Sequence, residues 1–138
     1  MPVDLVLDLK FLYSPEVLYN SLSQMGEQGR DNYFKGILFL DMPYLLVYGI
    51  LFCKILKNLW SGTHLYYLTL GIASVDFVEN VFMMYHIRSF PAVSRELAFM
   101  TSGLTSMKWL LVMILFTLII TGLLRKIFWV AEKKEQVH

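Results

Sequence analysis

The residues most capable of chemistry lie inside an apolar stretch. Asp76, Glu79 and Asn80 interrupt the run LGIASVDFVENVFMMYHI, which extends from Leu70 to Ile87. Spacings of three and four residues place these three side chains on one face of a helix. A charged side chain at the centre of a membrane costs about 3 kcal/mol. We therefore expect this face to point towards a partner inside the protein.

Charged residues at comparable depth occur in two other apolar stretches. At 1.5 Å per residue, Asp41 and Glu79 lie ~12 Å, and Lys108 ~16 Å, from the same end of their predicted helices. The opposite charge of Lys108 predicts a buried network in which it lies between Asp41 and either Asp76 or Glu79. Amide and hydroxyl groups that complete the hydrogen bonds are expected from Asn80, Tyr44 and Tyr48, with packing against neighbouring helices alone as the alternative for the two tyrosines.

Other interpretations of this cluster stay open. Lysine followed by tryptophan is common at a membrane boundary, so Lys108-Trp109 can also mark the beginning of a span. A buried network can serve only to fix the register of packed helices. The third interpretation is a ligand, substrate or proton site, because an ionisable group inside a membrane is a functional hypothesis by default.

The composition is that of a membrane protein. The chain has 138 residues, of which 57% are hydrophobic and 17% are charged, whereas a soluble domain is nearer a quarter charged. The net charge is +1 without a dense basic run, so nucleic acid is not an expected partner. Cys53 is the only cysteine and the three histidines are far apart. The sequence therefore predicts no disulfide, metal site or cofactor.

The segment 1–32 predicts an element at the membrane surface. Residues 3–11 alternate between apolar and polar types, which is typical of an extended strip, with a short amphipathic helix as the alternative. Ser-Pro-Glu at 14–16 begins an amphipathic helix, and Gly26 is expected to end it. About a dozen residues rise only ~18 Å, less than the ~30 Å of the hydrocarbon core. This helix is therefore expected to be interfacial, or to dock as a lid on the spans.

Three apolar stretches long enough to span a membrane follow within residues 33–130. They cover about residues 33–56, 65–87 and 95–130, and a polar tail occupies 131–138. Short connections between them predict an all-α protein with an up-down-up bundle of three transmembrane helices. Asp31 or Asn32 is expected to cap the first span. Pro43 is expected to kink it one turn earlier, at Phe39.

Basic residues give an expected orientation. We call the face with the N-terminus and the 88–96 loop side A, and the face with the 54–64 loop and the C-terminus side B. His86 and Arg88 at the side-A end of the second span are expected to be solvated or to meet a lipid headgroup. The positive-inside rule favours side B, and with it the C-terminus, as cytoplasmic or matrix. The side-B residues that carry this expectation are Lys54, Lys57, Arg125, Lys126, Lys133 and Lys134.

Three motifs carry a resemblance to other proteins. They are the lead-in YSPEVLYNSLSQMGEQGRDNY, Asp41 with Pro43 and the DFVEN of the second span, and the Lys-Trp pair at 108–109. Over about residues 12–124 the set resembles a group of small uncharacterised multi-pass integral membrane proteins with three to four helices. In this chain the acid and the proline are closer together than is usual in that group. The resemblance implies a shared polar cluster and no particular activity.

These features predict a small integral membrane protein that is a non-catalytic subunit or scaffold of a larger assembly, with the polar network holding its helices. Its expected partners are the lipid bilayer and other membrane subunits or further copies of this chain. The alternative is a carrier or membrane enzyme, with or without linkage to protons, that binds a lipid or small molecule at the same cluster. No catalytic nucleophile–base pair is visible, so an enzyme is less favoured.

Overall fold

The structure, a computed structural model, describes residues 6–7 and 10–135, with side chains up to Phe128. Within these residues every regular element is helical and no β-strand is present. Parts of the predicted strip at 3–11 and of the polar tail at 131–138 lie outside the described residues. The elements in chain order are α1 (Pro15–Gly36), a π-helical segment (Ile37–Asp41), α2 (Met42–Leu59), α3 (Tyr67–Ser89) and α4 (Arg95–Glu135).

Three helical stretches are long enough and apolar enough to cross a membrane, which confirms that part of the predicted fold. They are Pro15–Leu59, Tyr67–Ser89 and Arg95–Phe128. Only 17%, 28% and 11% of their most apolar windows are buried inside the protein. An apolar surface of this extent facing outward is what a hydrocarbon environment requires of a spanning helix.

The first stretch changes direction at Gly26. Its backbone has φ 64° and ψ −178°, a region that is open essentially only to glycine. The helix on the near side begins at Ser14, whose hydroxyl accepts from the Val17 N–H at 3.4 Å. On the far side Arg30 Nη1 donates to the Leu22 carbonyl at 3.0 Å. Arg30 thereby connects the two parts of α1 across the change of direction.

The helix resumes directly after Gly26, so the predicted cap at Asp31 or Asn32 is wrong. Both residues lie inside α1, and Asp31 Oδ2 is 2.6 Å from Lys35 Nζ one turn later. The physical reason is that the backbone of a single glycine provides the whole change of direction. The sequence GEQGRDN therefore needs no separate loop.

The π-helical segment takes the place of the kink expected before Pro43. Proline lacks an N–H, and its ring would clash with the Phe39 carbonyl in a regular helix. The Met42 N–H instead donates to the carbonyl of Ile37, five residues earlier. Such wider turns occur frequently at functional sites. This one ends at Asp41, a residue that the sequence singles out for its charge.

Two clusters of buried apolar side chains pack the helices together. The first joins α1 to α3 and α4 and includes Leu18, Leu22, Met83, Ile87 and Ala98. The second joins α2, α3 and α4 through Leu56, Ile72 and Leu115. Because Leu18 and Leu22 are fully buried in the first cluster, the part of α1 before Gly26 is docked on α3 and α4.

Helix α4 approaches the end of α2 closely at Gly122. Trp60 Nε1 donates to the Leu118 carbonyl at 3.0 Å. A Cβ atom on Gly122 would lie 2.9 Å from that nitrogen and 3.0 Å from Leu59 Cβ. Any larger residue at position 122 must therefore displace the indole from its hydrogen bond.

We expect Gly122→Ala to lower the free energy of unfolding by about 1–3 kcal/mol, as overpacking does in other tightly packed sites. The measurement is the midpoint of SDS-induced unfolding in mild detergent. Gly103→Ala is the matched control, because an added Cβ there meets nothing within 4 Å. An equal midpoint for the two variants would contradict the close approach.

Candidate ligand site

Lys108 of α4 reaches two carboxylates of α3. Its Nζ lies 2.6 Å from Glu79 Oε2 and 3.2 Å from Asp76 Oδ1. The Lys108 side chain is 12% exposed and that of Glu79 is fully buried. A lysine that marks a membrane boundary extends its ammonium group towards water. The burial of Lys108 favours a place inside the helix packing over the boundary interpretation of Lys108-Trp109.

Hydroxyl groups on two helices extend this network. Thr105 Oγ1 of α4 donates to Glu79 Oε1 at 2.6 Å. Tyr48 of α2 donates its phenolic hydroxyl to Asp76 Oδ2, also at 2.6 Å. Hydrogen bonds of this length to carboxylates are the strong, charge-assisted type. The network therefore connects α2, α3 and α4 at one level.

Helical spacing explains why these side chains meet. On α4, Thr101, Thr105 and Lys108 follow one another at intervals of four and three residues and so share a face. On α3, Glu79 and His86 are seven residues apart and share the opposing face. Accordingly, His86 Nε2 lies 3.1 Å from Thr101 Oγ1, about two turns from the Lys108 contacts.

The expectation that His86 is solvated or meets a lipid headgroup is wrong. Its side chain is fully buried, and its Nε2 faces Thr101 of α4. The seven-residue spacing from Glu79 is the sequence signal that could have identified it. Arg88, in contrast, is exposed at this end of α3, and its guanidinium carbon lies 4.2 Å from the centre of the Phe34 ring.

Asp41 is not one of the ion-pair partners of Lys108, contrary to the predicted network. Among the described residues it forms no hydrogen bond or ion pair, and it is exposed. The reason is its level along the helix. Tyr48 is the α2 residue that meets Asp76, and Asp41 lies seven residues earlier, or ~10 Å along the axis.

A cleft with a volume of about 570 Å³ lies beside the network, lined by α2, α3 and α4 and by the π-helical segment with the adjoining end of α1. This volume is within the range of ~300–1,000 Å³ that small-molecule sites occupy. Much of its wall is apolar and aromatic, formed by side chains that include Ile37, Leu40, Phe52, Ile72, Trp109 and Phe116. The cleft therefore combines an apolar interior with a few charged groups.

Most of the site residues predicted from the sequence line this cleft. Glu79 is the exception, because it is buried behind Lys108 and Thr105. The six that line it are Asp41, Tyr44, Tyr48, Asp76, Asn80 and Lys108. Metal binding is a different matter, since no group of three or more His, Cys, Asp or Glu in the described residues is arranged to hold an ion.

We expect Tyr48→Phe to lower the free energy of unfolding by about 1–3 kcal/mol, because Asp76 loses a charge-assisted bond inside the protein. Tyr44→Phe is the matched control on the same helix. Tyr44 is 64% exposed, and the structure shows no hydrogen bond to its hydroxyl within the described part of the chain. The measurement is again the SDS-unfolding midpoint. If both variants are equally stable, Tyr48 does not hold Asp76.

Comparisons of this chain with protein-family models, with curated proteins and with solved structures find no match. The chemistry of the cleft is therefore the basis for assigning a function.

Proposed function

We propose that this protein binds a small amphiphilic molecule inside the membrane, in the cleft lined by α2, α3, α4 and the π-helical segment with the end of α1. The observation that carries the proposal is the union of an apolar cavity of about 570 Å³ with charged groups on its wall. Ligand pockets combine a largely apolar lining with a few polar groups that fix orientation. A molecule with an apolar body and one polar group matches this combination of an apolar lining and a few polar groups.

In this proposal the network behind the cleft wall has a structural role. Lys108 is paired with two carboxylates, and Glu79 also accepts from Thr105. Such pairing makes charges tolerable at membrane depth. It also fixes α3 against α4, so the cleft is formed before a ligand arrives. Asp41 is outside this pairing and is the carboxyl group left to interact with a ligand.

We also propose that the three spans form an up-down-up bundle. The part of α1 before Gly26 is then an amphipathic helix that covers the side-A end of this bundle. Short connections at 60–66 and 90–94 support the alternation of direction. The basic residues near side B support a cytoplasmic or matrix location for the C-terminus.

The experiment is native mass spectrometry of the protein released from nanodiscs. We expect a retained small molecule on the wild type and its loss in Gly36→Phe. Gly36 lines the cleft, and a Cβ added there meets nothing within 4 Å, so the ring can occupy the cleft without displacing packed atoms. Gly103→Phe is the control, because Gly103 is equally open but does not line the cleft. Equal retention by the two variants would refute the cleft as the binding site.

A second candidate function is that of a non-catalytic subunit or scaffold in a larger membrane assembly. It is favoured by the length of α4, whose 41 residues span ~60 Å, against ~35 Å for the 23 residues of α3. The side-B part of α4 exposes the apolar side chains of Leu123, Leu124, Ile127 and Phe128. Purification from native membranes in mild detergent tests this candidate, and isolation as a lone monomer would contradict it.

A further inference from the structure

We infer that the ligand of the cleft is an organic cation with an apolar body, and that Asp41 is its counter-ion. This inference rests on the proposed function and adds the sign of the ligand's charge. The charges of the cleft, the position of Asp41 and the aromatic wall each support it.

The charged groups around the cleft are predominantly acidic. Among the described residues, Asp41, Asp76 and Lys108 line it, and Glu79 lies directly behind Lys108. Three carboxyl groups therefore face one ammonium group. Because Lys108 is within 3.2 Å of both Asp76 and Glu79, an anionic ligand would have to compete with both carboxylates for it. A cation meets no such competition at Asp41.

Asp41 is placed to interact with a ligand. It is exposed at the surface of the described structure, at the end of the π-helical segment and within a membrane-spanning stretch. Acidic groups at such depth usually pair with another group or line a pathway or binding site. Asp41 has no ion-pair partner among the described residues, so a bound cation supplies the missing charge.

An aromatic wall extends from Asp41 along one side of the cleft. Tyr44 and Tyr48 share the face of Asp41, at three and seven residues from it. The Tyr44 and Tyr48 ring centres are 5.5 Å apart, and those of Tyr48 and Phe52 are 6.4 Å apart. Aromatic faces attract organic cations and pack well against apolar groups. This wall therefore suits both the positive charge and the apolar body of the ligand.

The test uses two probes of nearly equal shape and opposite charge, tetraphenylphosphonium and tetraphenylborate. Binding to the protein in nanodiscs is measured by isothermal titration calorimetry, with empty nanodiscs subtracted to remove partitioning into lipid. We expect the cation to bind the wild type and Gly36→Phe to abolish this binding. We expect Asp41→Asn to weaken it by about tenfold, which corresponds to ~1.4 kcal/mol.

Asp31→Asn is the control for the loss of a carboxylate, because Asp31 is exposed and paired with Lys35 away from the cleft. Equal affinity of Asp41→Asn and Asp31→Asn for the cation would overturn the role of Asp41. Cleft-dependent binding of the anion alone would overturn the cation assignment but leave the proposed function standing. If Gly36→Phe changes the binding of neither ion, the inference is overturned. If native mass spectrometry also finds no retained molecule, the proposed function is overturned as well. Unchanged SDS-unfolding midpoints establish that the variants are folded.

Discussion

Replacing Lys108 with methionine is expected to lower the free energy of unfolding by about 3–5 kcal/mol, the range for removing one partner of a buried ion pair. Methionine retains the length of the side chain and removes the ammonium group. Asp76 and Glu79 are then left near each other without the cation that lies 2.6 Å from Glu79. This is the largest effect that we expect from a single polar substitution.

Lys35→Met is the control for this experiment. The distance from Lys35 to Asp31 is also 2.6 Å, but these side chains are 58% and 54% exposed. Exposed pairs of this kind contribute about 0.5 kcal/mol or less. The Lys108–Glu79 and Lys35–Asp31 pairs therefore have the same length and differ in burial. Comparing the two variants measures how burial changes the loss of free energy of unfolding when the lysine is replaced. The SDS-unfolding midpoint in mild detergent provides both values.

A double-mutant cycle then tests whether Lys108 and Glu79 act through each other. Glu79→Gln removes the charge that Lys108→Met leaves without a partner, so the double variant is expected to be more stable than Lys108→Met alone. Residues in one ion-pair network typically show a coupling of about 0.5–3 kcal/mol. Additive effects of the two substitutions would show that Lys108 is not held by Glu79. If Lys108→Met lowers the free energy of unfolding by less than Lys35→Met does, the interpretation of Lys108-Trp109 as a membrane boundary is favoured instead.

Local periodicity made much of this network predictable. A helix brings residues three, four and seven apart onto one face, so the sequence of α3 alone places Asp76 and Glu79 together. The similar depths of Glu79 on α3 and Lys108 on α4 were calculated from the helical rise and an estimated first residue for each helix. Lys108 is consequently among the residues whose position the pattern predicts well.

Asp41 shows where such reasoning fails. Its depth was counted from an assumed helix start near residue 33, whereas the helix resumes directly after Gly26. Asp41 lies seven residues, or ~10 Å, before Tyr48, the residue that meets Asp76. The burial of His86 was missed although its signal is local. Its seven-residue spacing from Glu79 places it on the same face of α3, which meets α4 at Thr101 and Thr105.

The docking of α1 leads to the second large effect. We expect Leu22→Ala to lower the free energy of unfolding by about 2–4 kcal/mol, because it removes most of a fully buried side chain from the cluster that joins α1 to α3 and α4. Undocking has a local consequence as well. Arg30 Nη1 is bonded to the Leu22 carbonyl, and its guanidinium carbon lies 4.2 Å from the centre of the Phe90 ring. Both contacts depend on the docked position of α1.

Limited trypsin digestion in mild detergent therefore separates a local from a general loss of stability. We expect cleavage after Arg30 to accelerate in Leu22→Ala at SDS concentrations below the unfolding midpoint. Leu12→Ala is the matched control, since Leu12 is 70% exposed and its truncation leaves no cavity. If Leu22→Ala lowers the midpoint without faster cleavage at Arg30, α1 does not undock before the spans unfold. The part of α1 before Gly26 would then unfold together with the spans and could not act as a separable lid on them.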